Sequence, residues 1–277
     1  MKVSYSNGRI VTDGYLYEDV PYDVSADNFS VCFDGKGGIT KYLSVNNQKN
    51  YSNRSMFSVY KDGERIGAYT KKQTKMAGRM QTISLLGDGY QLEMKQFVAK
   101  ADNAVFVEMS FFADKSTEFT MLYGAGNFDA MPAFSCNIPY VKTEDNMFFQ
   151  LNVSVCGEKR IRFVFTYEEG QEYCNRLLAF FQEKLENAHR EIDEIKFPTS
   201  VQTEEEKALY LSALFCCIEN YKECSDFTGF AAGCHYLNPL RTYYRDSYWS
   251  VLPMYRYNID LVKRQISTLA KGIAMSL

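Results

Sequence analysis

The chain has 277 residues, 46% of them hydrophobic, enough for one large or two ordinary domains with a full core. Lys and Arg number 31 against 34 Asp and Glu, a net charge of −3, and no basic block tracks a phosphate backbone, so nucleic acid is not an expected partner. Met1 to Arg9 lacks a signal-peptide core, no run reaches membrane-spanning length, and eight cysteines without framework spacing read as buried thiols, so no membrane association and a cytoplasmic location are expected. A zinc site from Cys217, Cys224, Cys234 and His235 fits none of the usual ligand spacings, and no metal or organic cofactor is expected.

From Tyr15 to Tyr167 the dominant signal is period two interrupted by glycine turns, the pattern of antiparallel strands with one buried face. Phe29 to Phe33 alternates and Asp34 to Gly38 turns the chain. At Asp62-Gly63 a tight hairpin is expected, because both residues tolerate positive φ. Gly87-Asp88-Gly89 introduces a further strand at Tyr90. Val105, Val107, Met109 and Phe111 share one face of the next strand, and Phe149, Leu151, Val153 and Val155 share one face of another. After Cys156-Gly157-Glu158-Lys159 the run Arg160 to Tyr167 is expected to pair back as a hairpin. Asp129 and Asp145 fall in polar stretches and read as solvated, so nothing in this half is assigned to catalysis.

At Gly170 the period changes to that of a helix. Leu177, Phe181, Leu185, Ala188, Ile192 and Ile195 form one apolar stripe that ends before Phe197-Pro198, and the segment reads as a connecting strut. Thr203 and Glu206 have capping-box spacing, which assigns the Glu204 to Glu206 run to a helix start rather than to catalysis. The body from Ala208 to Ile218 is apolar almost all round and needs enclosure by other protein. Ser225 to Tyr236 reads as a glycine-punctuated loop, followed by helices over 246–257, which Pro253 bends or makes begin a little later than Asp246, and 260–274, with Val262, Ile266, Leu269 and Ile273 on one face and a cap at Asn258 or Asp260.

The densest chemistry lies in Leu240 to Trp249, where two arginines, three tyrosines, one carboxylate and the single tryptophan fall within ten residues. Aromatic faces stack on the C–H surface of a pyranose, while a charged pair hydrogen-bonds its hydroxyls. From the residues alone, Arg245 and Asp246 read more readily as a helix-start ion pair and His235 as a satisfied structural histidine, and Trp249 also reads as a core anchor.

Gly229-Phe230-Ala231-Ala232-Gly233, Tyr243-Tyr244-Arg245-Asp246-Ser247-Tyr248-Trp249 and Leu269-Ala270-Lys271-Gly272-Ile273 resemble the six-hairpin glycosidases, a group with the glycogen debranching amylo-α-1,6-glucosidases, glucoamylases and related disaccharide phosphorylases. The motifs cover about the last fifty residues; the first part resembles the group in layout only. The resemblance implies a β + α chain. It would have an N-terminal antiparallel super-sandwich (1–169), a helical linker (170–200) and the first helices of an (α/α)6 toroid (201–277), incomplete at Leu277. It implies Arg245 and Asp246 as sugar-gripping residues, with Tyr244, Tyr248, Trp249 and His235 around the sugar.

The implied activity is hydrolysis of α-glucosides or related oligosaccharides by an inverting pair of carboxylates, roughly 6.5 to 9.5 Å apart, neither of them in this chain. A fragment of that kind is expected to be inactive alone and to self-associate through exposed toroid helices. Two other readings stay open: a complete non-catalytic carbohydrate-binding protein, and a disaccharide phosphorylase of the same fold.

Overall fold

The structure is a computed structural model and describes residues 1–16, 21–46, 49–51, 56–67, 69–124, 131–143, 148–224, 227–231, 242 and 244–276. Strands β1 (Lys2–Ser6) and β2 (Arg9–Tyr15) form a hairpin through Asn7 and Gly8, both at positive φ. Strands β3 (Tyr22–Ser25), β4 (Phe29–Phe33) and β5 (Ile39–Ser44) make a small antiparallel sheet. Strands β6 (Met56–Lys61) and β7 (Glu64–Arg65) meet at Asp62 (φ 50°) and Gly63 (φ 84°), the tight turn expected from Asp-Gly. Next come β8 (Lys71–Ala77), β9 (Met80–Gly87), β10 (Tyr90–Val98) and the 20-residue β11 (Val105–Gly124). Strands β12 (Ala133–Cys136) and β13 (Tyr140–Lys142) lie against the 18-residue β14 (Phe149–Thr166). Asp129 and Asp145 lie outside the described residues.

The large sheet runs β1-β2-β8-β9-β10-β11-β14-β12, with β6 and β13 added on the far halves of β11 and β14. The segment 156–159 is therefore not a hairpin. It lies inside one continuous strand, where Gly157 (φ 80°) faces Ala113 and the register against β11 shifts between Ala113 and Thr117. Glycine at positive φ serves a bulge as well as a turn, and here it bends two long strands together. The bend brings the halves of β11 face to face, with the Phe111 and Phe119 rings 5.0 Å apart. Between them and the small sheet sits the main core, including Phe29, Phe33, Tyr42, Leu92, Val107, Met109, Leu151 and Phe163, all fully buried.

Helices α1 (Gln171–Ala179) and α2 (Phe181–Asp193) replace the single helix expected after Gly170, with a break at Phe180. They are not a free-standing strut. Cys174, Leu177, Phe181, Leu185 and Ala188 pack on Met80, Phe97, Phe106 and Val164 from the other face of the large sheet. The break lets α1 lie along β12 while α2 lies across β10. Burial on both faces explains why Val105, Phe106 and Val107 are all inaccessible, where a one-sided strand would alternate.

Helix α3 (Glu204–Asn220) starts at the expected capping box: Glu206 N–H donates to Thr203 Oγ1 at 3.1 Å, and Thr203 N–H donates to Glu206 Oε2 at 2.9 Å. Its enclosure is one-sided: Leu211, Leu214 and Phe215 are buried while Leu209 is 52% exposed. A hairpin of β15 (Tyr221–Cys224) and β16 (Phe227–Phe230) stands where a loop was expected. Helices α4 (Tyr244–Tyr257) and α5 (Ile259–Ser276) follow, and Asn258 Oδ1 caps α5 by accepting the Asp260 and Leu261 N–H groups. A smaller core of Leu214, Phe215, Tyr221, Phe230, Met254 and Val262 joins α3, the hairpin, α4 and α5. No helix among the described residues is long and apolar enough to cross a membrane.

Candidate functional site

The Tyr-Arg-Asp-x-x-Trp segment opens α4, so Tyr244, Arg245 and Asp246 occupy its first turn. The side chains of those three residues and the whole of His235 lie outside what the structure describes. Ser247, Ser250 and Met254 are buried, at spacings of three and four that define the inner face of the helix. The outer face carries Tyr248 and Trp249, 58% and 65% exposed, with ring centroids 5.3 Å apart in an edge-to-face pair. Trp249 is thus not a core anchor. Leu252 and Tyr255 extend the same exposed surface. Pro253 lies inside α4 and cannot donate to the Trp249 carbonyl one turn earlier, which leaves that oxygen without its helical partner at the aromatic pair.

One side chain fixes this helix to the hairpin. Gln265, on α5, is completely buried, and its Nε2 donates to Ser247 Oγ at 2.8 Å and to Thr242 Oγ1 at 3.1 Å. The Thr242 and Ser247 hydroxyls are 2.6 Å apart. Gln265 Oε1 accepts the Phe230 N–H at 2.6 Å. Both donors and the acceptor of the amide are therefore used, as burial of such a group requires. Gly229 makes the approach possible, because a Cβ there would overlap Gln265 Oε1. Thr268 on α5 also donates to the Thr228 carbonyl. The apolar face expected for α5 is corrected accordingly: Val262 is buried, Ile266 is 58% exposed, and the inward position is taken by Gln265.

A second polar cluster ties the same hairpin to the small sheet. Lys222 on β15 is completely buried and donates to Ser25 Oγ, to the Ala26 carbonyl at 3.0 Å and to the Glu219 carbonyl at 2.5 Å. Arg79 Nε donates to the Ser25 carbonyl at 2.8 Å, and its guanidinium pairs with Glu191 of α2. The Glu219 side chain lies among them, and its Oε1 has no hydrogen-bond partner among the described residues. Burial pushes its carboxyl up to about 8, against the opposing pull of Arg79 and Lys222. Neither Gln265 nor Lys222 carries a sequence signal of its role; Gly229 does, as part of the Gly-Phe-Ala-Ala-Gly motif.

No protein-family profile matches the chain, and no curated protein is similar to it. Solved structures overlap it in backbone, among them the following two. One is described as "Putative kojibiose phosphorylase from human microbiome", with 10% identity over 84% of this chain and 44% of that one, at a TM-score of 0.43. The other is an active YidC insertase with its first transmembrane domain resolved, with 12% identity over 78% of this chain and 50% of that one, at a TM-score of 0.21. The chain spans half or less of the length of either. At such TM-scores neither likeness bears on what the chain does.

Proposed function

We propose that this chain supplies the sugar-gripping wall of a carbohydrate-active enzyme of the six-hairpin glycosidase type, acting on α-glucosides or related oligosaccharides. In this reading α3, α4 and α5 begin an α/α toroid, residues 1–169 form the companion sandwich, and the two reacting carboxylates come from outside these residues. Arg245 and Asp246 hydrogen-bond sugar hydroxyls, and Tyr244, Tyr248, Trp249 and His235 surround the ring. The observation that carries the proposal is the exposed Tyr248–Trp249 pair one turn after Arg245-Asp246, on a helix whose inner face is locked by Gln265. Exposed rings cost hydration free energy in the free protein and recover it when they stack on a pyranose.

Trp249 is the single tryptophan, so its fluorescence reports on this surface alone. Titration with maltotriose is expected to change the emission saturably, and Asp246→Ala is expected to weaken the effect at least about tenfold. A linear, non-saturating response, or one unaltered in Asp246→Ala, overturns the assignment. With the rest of the enzyme in place, turnover that requires phosphate separates a phosphorylase from a hydrolase.

A further inference from the structure

The helix-covered face of the large sheet carries a second cleft, remote in sequence from the aromatic helix. Strand register sets its floor: Lys75 on β8 is opposite Thr82 on β9, Thr82 opposite Lys95 on β10, Lys95 opposite Glu108 on β11, and Glu108 opposite Arg162 on β14. Directly opposed residues share a face, so these five side chains form one row. At one end of the row charge is paired. Glu108 is 3% exposed, with Arg162 at 2.7 Å and Lys95 at 3.4 Å. At the other end it is not. Lys75 and Arg9 have no carboxylate within ion-pairing distance among the described residues, although both are half-buried.

There α2 stands off the sheet and leaves a cleft of about 190 Å³, with Arg9, Lys75, Thr82, Lys95, Glu93 and His189 in its lining. Of its three cations, Lys95 is engaged by Glu93 at 3.3 Å and by Glu108 at 3.4 Å, which leaves Arg9 and Lys75 as the two without a carboxylate among the described residues. Two half-buried cations without partners repel one another in a groove, and a bound anion offsets that cost. The Thr82 hydroxyl, between Lys75 and Lys95 in the row, adds a neutral donor. We propose that this cleft is an oxyanion site that takes a phosphate group, as inorganic phosphate or as the monoester of a small sugar. The volume, about six water molecules' worth, leaves room beside the phosphate for part of an organic group.

The state of His189 is consistent with that field: its imidazole is held below the usual value, first by burial and then by the nearby Lys95 and Arg9 charges, with Asp193 and Glu108 opposing. A bound phosphate would reverse the sign of the local field and raise it.

The protein has only two histidines, so side-chain NMR follows His189 individually. Titrating inorganic phosphate at constant ionic strength, balanced with sodium chloride, is expected to saturate and to raise the His189 pKa by about one unit. Arg9→Gln and Lys75→Gln are each expected to weaken binding at least about tenfold. Lys41→Gln removes the same charge from the exposed position of strand β5 in the small sheet and is expected to change nothing. Glucose 6-phosphate binding more tightly than phosphate would identify the monoester as the ligand; equal affinity would identify the free anion. A His189 shift that chloride reproduces, or a loss in Lys41→Gln as large as in Arg9→Gln, overturns the proposal.

Discussion

Gln265 and Phe230 are 35 positions apart in sequence, yet the Gln265 side-chain oxygen accepts the Phe230 N–H at 2.6 Å inside a buried interface. Because the amide's other end holds Ser247 and Thr242, one residue sets the position of the aromatic helix relative to the β15-β16 hairpin. Gln265→Leu keeps the volume and leaves the Phe230 N–H and two hydroxyls without this partner, a loss of about 1–3 kcal/mol in chemical denaturation. Gly229→Ala is expected to act on the same contact, because its Cβ would displace Gln265 Oε1. If the two losses add fully in the double variant, the contact is not shared and this account fails.

Trp249→Ala separates surface from core. At 65% exposure the ring has little buried area to lose, so unfolding stability should change by less than about 0.5 kcal/mol. Binding of maltotriose, measured by calorimetry, should be lost. A destabilisation of several kcal/mol would return Trp249 to a structural role.

Glu219 gives the fold a pH dependence of definite sign. Its carboxyl is raised to about 8 from the ordinary value of 4.5, so between those values the folded protein binds a proton that the unfolded chain has released. Stability from this group is therefore full below the unfolded value, falls as pH rises through the window from 4.5 to about 8, and is flat beyond. The total is on the order of a few kcal/mol. Glu219→Gln should flatten urea-denaturation stability across this window and be relatively more stable at pH 9 than at pH 5. An unchanged slope would mean that Glu219 is ionised in the fold, paired with Arg79 or Lys222.

The β6-β7 turn supplies a local control. Gly63 adopts φ 84° with nothing within 4 Å of where a Cβ would stand, so Gly63→Ala costs backbone strain only. A loss of about 1 kcal/mol is expected, read as a drop in the denaturation midpoint with an unchanged slope.

Much of the sandwich is legible in the residues alone. Phe149, Leu151, Val153 and Val155 alternate because one face is buried, and they are at most 3% exposed. The Asp62-Gly63 turn and the Thr203–Glu206 box are equally local, each needing only neighbours within four residues. The Gly157 segment is not legible, since positive φ serves a turn or a bulge, and only the matching break in β11 selects the bulge. Nor is the two-sided burial of β11, which depends on α1 and α2 lying on its second face.

The candidate site divides along the same line. Its residue types, the aromatic pair and the Arg-Asp dipeptide, are a property of ten consecutive letters, and their placement at a helix start follows from short-range periodicity. Which rings face solvent was decided by α5 and the hairpin, through a buried glutamine whose partners are 18 to 35 residues away. The phosphate cleft is wholly tertiary. Arg9, Lys75, Lys95 and His189 meet only because strand pairing fixes which side chains share a face and α2 docks across them. Local sequence sets what a residue can do within one turn or one strand; long-range packing alone brings charges from distant segments into one field.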